Sequence, residues 1–147
     1  MLGEWLLGLV LTCPPSVPPP WLKGTDGLVQ AVAWVESRWD PLAVSPAGAR
    51  GVMQLMPRTE RWLTEWCVHG PPPPAGVFDP AWNVTLGQCY LAHLHRKLGD
   101  WTAALVGYNG GHRQYRRYLA GEPLTQETVE YVQRVWRIRL ICEGINS

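Results

Sequence analysis

Glu36 closes an apolar run, Val32-Ala33-Trp34-Val35, and a turn-rich segment follows it. A carboxyl group among apolar neighbours is desolvated, which disfavours its charged form and raises its pKa. A carboxyl that keeps its proton near neutral pH can protonate a leaving group. Downstream stands the run Met53-Gln54-Leu55-Met56-Pro57. A second set of chemistry-bearing residues is Cys67 and His69 with Cys89 and His93, the latter two four apart on one face of an expected helix. That is a conceivable zinc set. Neither pair is a tight CxxC, however, and a loop with four consecutive prolines separates them, so no metal and no cofactor is expected. Buried cysteines behave as small hydrophobes. The four cysteines, Cys13, Cys67, Cys89 and Cys142, allow two disulfides or none, and a Cys67–Cys89 bond is open to an exported chain.

The elements that must position Glu36 can be read from periodicity. A first helix is expected from Thr25 or Asp26, both good N-caps, to about Arg38, ahead of Asp40-Pro41. At roughly 100° per residue, Leu28, Val29, Val32, Val35 and Trp39 fall within an arc of about 120°. Glu36 falls inside that arc, near the Val29 edge, with Ala33 and Val32 as its helical neighbours. The spacing therefore sets Glu36 beside the core; the alternative is a boundary residue whose carboxyl reaches water. Gly48 marks a turn, and Gly51 permits close backbone approach. Pro57 suits the first turn of a second helix, continued over 59–66. Residues 70–76 form an irregular loop. Asp79-Pro80 opens a helix through 83–98, with Val84, Gly87, Leu91, Leu94 and Leu98 on one side. A short helix over 102–108 is closed by Asn109-Gly110-Gly111, and two more follow at 114–119 and 126–140. No strand-like alternation competes, so the expected class is all-α.

The 147 residues suit one core. Hydrophobic content of 46% and charged content of 17% indicate a globular chain. A net charge of +1 gives no basic field for nucleic acid. Nine Trp stand against one Phe; indole rings stack well on sugars, but most buried Trp fill cores, so only a minority are expected at a ligand. Residues 5–11 are apolar but too few to span a bilayer as a helix. They can be the h-region of a secretion signal, although Glu4 and the lack of a preceding Lys or Arg speak against it. Val10-Leu11-Thr12-Cys13 has some likeness to a lipoprotein processing site, with Cys13 bearing the lipid. The alternative is an amphipathic segment packed on the domain. Residues 14–20 are proline-rich and read as an extended spacer, dividing the chain into 1–20 and a domain over 21–147.

Three segments together resemble the soluble lytic transglycosylase (SLT) domain family. The first is residues 36–57, from Glu36-Ser37 to Met53-Gln54-Leu55-Met56-Pro57. The second holds Phe78-Asp79-Pro80, Asn83, Gly87, Tyr90-Leu91, Gly99-Asp100 and the run Ala103-Ala104-Leu105-Val106-Gly107-Tyr108-Asn109-Gly110-Gly111. The third is Glu127-Thr128 with Tyr131-Val132. The likeness covers about 21–137. It implies a goose-lysozyme-like helical domain with a glycan-binding cleft, and peptidoglycan strands as partner.

The family's chemistry fits these residues. Ordinary glycosidases use two carboxylates. The resemblance implies one, Glu36, which protonates the leaving oxygen of the β-1,4 bond between N-acetylmuramic acid and N-acetylglucosamine. As a carboxylate it then takes the proton of the muramic C6 hydroxyl, which closes a 1,6-anhydro ring. An internal nucleophile has a high effective concentration and outcompetes water. By position, Ser45, Gln54, Met56, Tyr108, Asn109 and Glu127 are implied substrate contacts, with Tyr108 also orienting Glu36. Four of them have a plainer reading: Ser45 as a turn residue, Met56 as core, Asn109 as a helix C-cap, Glu127 as a helix-start charge.

The chain departs from the pattern at Asp40, where the family often has asparagine, and at Gly107, where alanine is usual. Asp40 either caps a turn or is a second carboxylate, which would favour a hydrolytic muramidase on the same fold. A non-catalytic wall-binding component is the third reading. His112, Arg113, Arg116 and Arg117 form a cluster that reads as a solvated helix face or as a contact for acidic stem peptides. The resemblance implies a location in the periplasm or cell envelope, with membrane association through the N-terminal segment, or a place in a phage, conjugation or secretion assembly.

Overall fold

The structure, a computed structural model, describes residues 12–142. Five α-helices carry it: α1 Gly27–Ser37, α2 Pro57–Leu63, α3 Pro80–Leu98, α4 Trp101–Leu119 and α5 Gln126–Arg137. Two of the N-caps, Asp26 and Asp79, stand where the sequence opens a helix. Asp26, Asp79, Asp100 and Thr125 each accept a bond from a first-turn backbone N–H, at Leu28, Trp82, Ala103 and Thr128. Pro57 and Pro80 sit in the first turn of α2 and α3, where a missing N–H costs nothing. Among the described residues the only extended pairing is two isolated bridges, Val44 with Arg50 and Arg50 with Leu55. The class is all-α, as expected.

Three boundaries differ from the sequence reading. The second helix gives way after Leu63 to a π-helical turn, Thr64–Val68. The last helix likewise passes into a π-helical turn, Ile138–Cys142. Each turn carries a cysteine bonded to a distant segment: Cys67 to Cys89, and Cys142 to Cys13. The third difference lies at 109–111. Helix α4 runs on through Asn109 and Gly110 and breaks only at Gly111 (φ 67°, ψ −164°), then resumes at once. Asn109 is not a cap, because its Oδ1 accepts the Thr128 hydroxyl of α5 at 2.9 Å.

The core has two parts. The larger gathers Leu28, Val29, Val32 and Ala33 of α1 with Val52, Met53, Leu105, Tyr131 and Val135. The smaller gathers Leu55, Leu63, Val77 and Leu86. Tyr108 packs against both. Helix α3 packs on α4, α4 on α5, and α5 on α1, so α1 and the loop after it close against the α4–α5 pair.

The residues before α1, read as a spacer, lie against the domain where they are described. The Trp34 indole N–H donates to the Thr12 carbonyl at 2.6 Å, and Cys13 is bonded to Cys142. A sulfur in that bond has no thiol for a lipid, so the two uses of Cys13 exclude each other. The signal reading of residues 5–11 falls outside the described residues. No helix among the described residues is long and apolar enough to cross a membrane. The sulfurs of the conceivable zinc set, Cys67 and Cys89, are bonded to each other, which removes both thiolate ligands.

Candidate active site

The last turn of α1 delivers Glu36, and the chain turns away at once through Arg38 and Trp39, both left-handed (φ 53° and 62°). Non-glycine residues seldom take this conformation. Here buried Trp39 is held by its indole N–H donating to the Gln30 carbonyl at 3.0 Å. Ser37 ties this corner to the following loop, its Oγ donating to the Val52 carbonyl at 2.6 Å.

That loop is organised by one buried amide. Asn83 of α3 is fully buried. Its Oδ1 accepts the Met53 N–H at 2.8 Å, and its Nδ2 donates to the carbonyls of Arg50 and Val77 at 3.1 and 2.9 Å. All three bonds go to backbone, and the Arg50 carbonyl also accepts the Leu55 N–H at 3.0 Å. The arrangement requires a glycine at 51: a Cβ there would lie 2.2 Å from Asn83 Nδ2 and 2.7 Å from the Val77 carbonyl oxygen.

Glu36 is half-buried. Desolvation raises its pKa from the ordinary 4.5 to about 7, against a smaller opposing effect of the Tyr131 hydroxyl. Tyr108 and Tyr131 both have their own pKa values pushed well up by burial and then by the Glu36 charge, which places both rings beside the carboxyl. Tyr131 makes no hydrogen bond of ordinary geometry in this conformation; its buried hydroxyl lies close enough to favour the carboxylate and has no other partner. The Tyr108 hydroxyl is committed elsewhere. It donates to the Met53 carbonyl at 2.7 Å, so it fixes the loop rather than clasping Glu36.

In front of Tyr108 opens a groove of about 280 Å³ lined by Gln54, Leu55, Met56, Thr59, Tyr90, Tyr108 and Asn109, with Gly110 and Gly111 at one end. Gln54 holds a left-handed backbone (φ 51°), and its Nε2 donates to the carbonyls of Ala43 and Gly51 at 3.1 and 3.0 Å. That leaves Oε1 as its acceptor for a ligand. Met56 is exposed, so it is not core filler. Of the residues implied by resemblance, the structure thus brings Gln54, Met56, Tyr108 and Asn109 onto one groove, and Glu36 is linked to it through its charge acting on Tyr108.

Two others stand apart from that groove. Ser45 closes its own turn, its Oγ accepting the Ala49 N–H at 3.0 Å. Glu127 is exposed in the first turn of α5. Asp40 is also exposed, and its Oδ1 accepts the Leu42 N–H at 2.9 Å. It caps a turn and is no partner for Glu36. Sequence reasoning did not single out Tyr131 or Asn83 as site residues. Their signal was present, since both stand in the segments that carry the family likeness, but their partners lie far away in the chain.

Residues 23–128 match the family described as Transglycosylase SLT domain. The chain belongs to this family. Among its SLT relatives, the soluble lytic murein transglycosylase of Escherichia coli K12 is 30% identical over 107 residues, which are 71% of this chain and 17% of that protein. A transglycosylase of Enterobacteria phage PRD1 is 34% identical over 87 residues, 59% of this chain and 29% of that protein. The crystal structure of the 70 kDa soluble lytic transglycosylase of Escherichia coli superposes with a TM-score of 0.70 at 28% identity, covering 77% of this chain and 21% of that one. The fold is therefore the lysozyme-like all-α fold of the SLT domain. The chain spans only a small part of the length of the relatives it matches.

Proposed function

We propose that this domain is a lytic transglycosylase that cleaves the β-1,4 bond from N-acetylmuramic acid to N-acetylglucosamine in peptidoglycan without water. The observation that carries the reading is Glu36, a single carboxyl held protonated to about pH 7 by burial, its charge felt by Tyr108 of the groove. In the first step Glu36 gives its proton to the leaving O4 of N-acetylglucosamine as the C1–O bond breaks. In the second, the Glu36 carboxylate takes the proton of the muramic C6 hydroxyl while that oxygen bonds to C1. The residue returns to its protonated state, and the 1,6-anhydro ring leaves no vacancy for water. The Tyr131 hydroxyl, with no other partner, is placed to donate to Glu36 in its charged interval.

Gln54 Oε1, Met56 and Asn109 are proposed as sugar contacts along the groove, with Tyr108 as its back wall. Ser45 positions the loop rather than the sugar, and Glu127 is kept only as a contact at a distant rim. The exposed, turn-capping Asp40 does not support the two-carboxylate hydrolytic reading. With relatives from a bacterium and a phage, the setting we propose is the cell envelope or a phage particle acting on it. Membrane association or a larger assembly would come through residues outside those described.

Digestion of purified peptidoglycan in ¹⁸O-labelled water, followed by mass spectrometry, tests the reaction type. The expected products end in 1,6-anhydromuramic acid and carry no label. Labelled reducing muramic ends would replace this reading with a hydrolytic muramidase.

A further inference from the structure

The groove does not end at Thr59. Met56, Thr59, Trp62 and Trp66 follow one another at three, three and four residues along α2 and its π-helical turn, so they share one face. Met56 and Thr59 line the groove. Trp62 and Trp66 continue the line outward and stand 37% and 43% exposed. Their rings are stacked, with centroids 5.3 Å apart and planes 6° from parallel. The pair is joined to the groove through rings. Tyr108 meets Tyr90 at 5.2 Å, and Tyr90 meets Trp62 edge-on at 6.3 Å.

The pair is also braced. His93 of α3 meets both indoles edge-on, at 5.0 and 5.2 Å, and the Arg96 guanidinium lies over Trp66 at 5.8 Å. The Cys67–Cys89 bond fastens the turn that carries Trp66 to α3. Two large rings held rigid and half in water are poor core material; each covers one face of the other, and the apolar surface they leave exposed suits a ligand with flat C–H faces. Sugars in β-1,4 linkage have such faces, and rigid rings lose little freedom when they bind.

We infer that Trp62 and Trp66 form an outer subsite for the glycan strand, which leaves the groove over Tyr90 and lies along the indole pair. This rests on the proposed activity, because the groove is what identifies the strand as the occupant. The outer subsite makes turnover depend on strand length. A short oligosaccharide bound in the groove does not need the platform, whereas a longer strand also covers it.

The test compares glycan strands freed of stem peptides, a tetrasaccharide against long strands, with wild type and with Trp62→Ala/Trp66→Ala. Loss of the platform should lower kcat/KM on long strands about tenfold, the size of one good aromatic contact, and leave the tetrasaccharide nearly unchanged. Trp62→Phe/Trp66→Phe keeps flat rings and should retain most of the long-strand rate, which guards against a folding defect. Trp101→Ala, an exposed indole stacked on His95 away from the groove, should change nothing. An equal loss on both lengths, or none on either, overturns the inference. Binding of the same strands to the Glu36→Gln protein, read by titration calorimetry, separates the two claims. If wild type turns over no strand but binding still falls with the double Ala change, the activity fails and the subsite stands. If binding is unaffected by the change, the subsite fails whatever the activity. Retention on anionic vesicles that depends on both Trp, with no strand-length effect, would give the surface to lipid and overturn the inference.

Discussion

The two sides of the groove use aromatic residues in opposite ways. Around Glu36, Tyr108 and Tyr131 are packed against the core, and burial there raises the carboxyl's pKa. Along α2, Trp62 and Trp66 are held out in water by His93, Arg96 and a disulfide. In the proposed mechanism the first side needs burial, because proton transfer at neutral pH needs a desolvated acid. The second needs exposure, because the proposed outer subsite works by being covered by a ligand. A change on the acid side should therefore alter pH dependence and chemistry. A change on the outer side should alter stability or strand binding and leave the pH profile intact.

The largest effect expected is on the acid side. Glu36→Gln should lower turnover by at least about 10³-fold, since one group is lost from both proton transfers. The same substitution should stabilise the fold at alkaline pH. Glu36 titrates at about 7 in the folded state and at 4.5 ordinarily, so the folded state binds more protons between those values. Stability of the wild type therefore falls as pH rises from 4.5 to about 7, by on the order of 3 kcal/mol. Glu36→Gln should recover up to that amount above pH 7 and nothing below 4.5, as thermal melts across pH would show. Equal stabilities at pH 8 would mean that the carboxyl is not desolvated.

Next in size is Asn83→Ala, which removes three buried bonds, to Arg50 and Met53 of the loop between α1 and α2 and to Val77 ahead of α3. A loss of about 3 kcal/mol in urea unfolding is expected, with a lower kcat as Met53 and Tyr108 lose their anchor. On the outer side, Cys67→Ser/Cys89→Ser opens a loop of 22 residues and should cost about 2 kcal/mol. The pH profile of the remaining activity should not move. A shifted profile would show that the two sides are not independent. The smallest effect is Tyr131→Phe. Tyr131 lowers the Glu36 pKa, so its loss should move the alkaline limb of kcat/KM upward by less than about one pH unit. A downward move would remove Tyr131 from the site.

Local pattern exposed the acid side well. The arc of Leu28, Val29, Val32 and Trp39 placed Glu36 beside the core, and those residues are buried. The Asp caps and first-turn prolines marked where helices begin. What was not legible depends on long-range pairing. Asn83 acts on backbone up to 33 residues away, and no property of its own position reveals that. Cys13 and Cys142 are 129 residues apart, beyond any spacing rule. Ser45 reads equally well as a contact or a turn residue until its Oγ is seen on the Ala49 N–H. Nine Trp residues could not be sorted into core and platform by composition, because only their exposure separates Trp39 from Trp62 and Trp66.

The central claim is that burial alone makes Glu36 a neutral-pH acid. A ¹³C NMR titration of the Glu36 side-chain carboxyl in the free protein, assigned by comparison with Glu36→Gln, measures it directly. The account predicts a midpoint of about 7 that coincides with the alkaline limb of kcat/KM. A midpoint near 4.5 would leave Glu36 charged at working pH and would contradict its role as the acid.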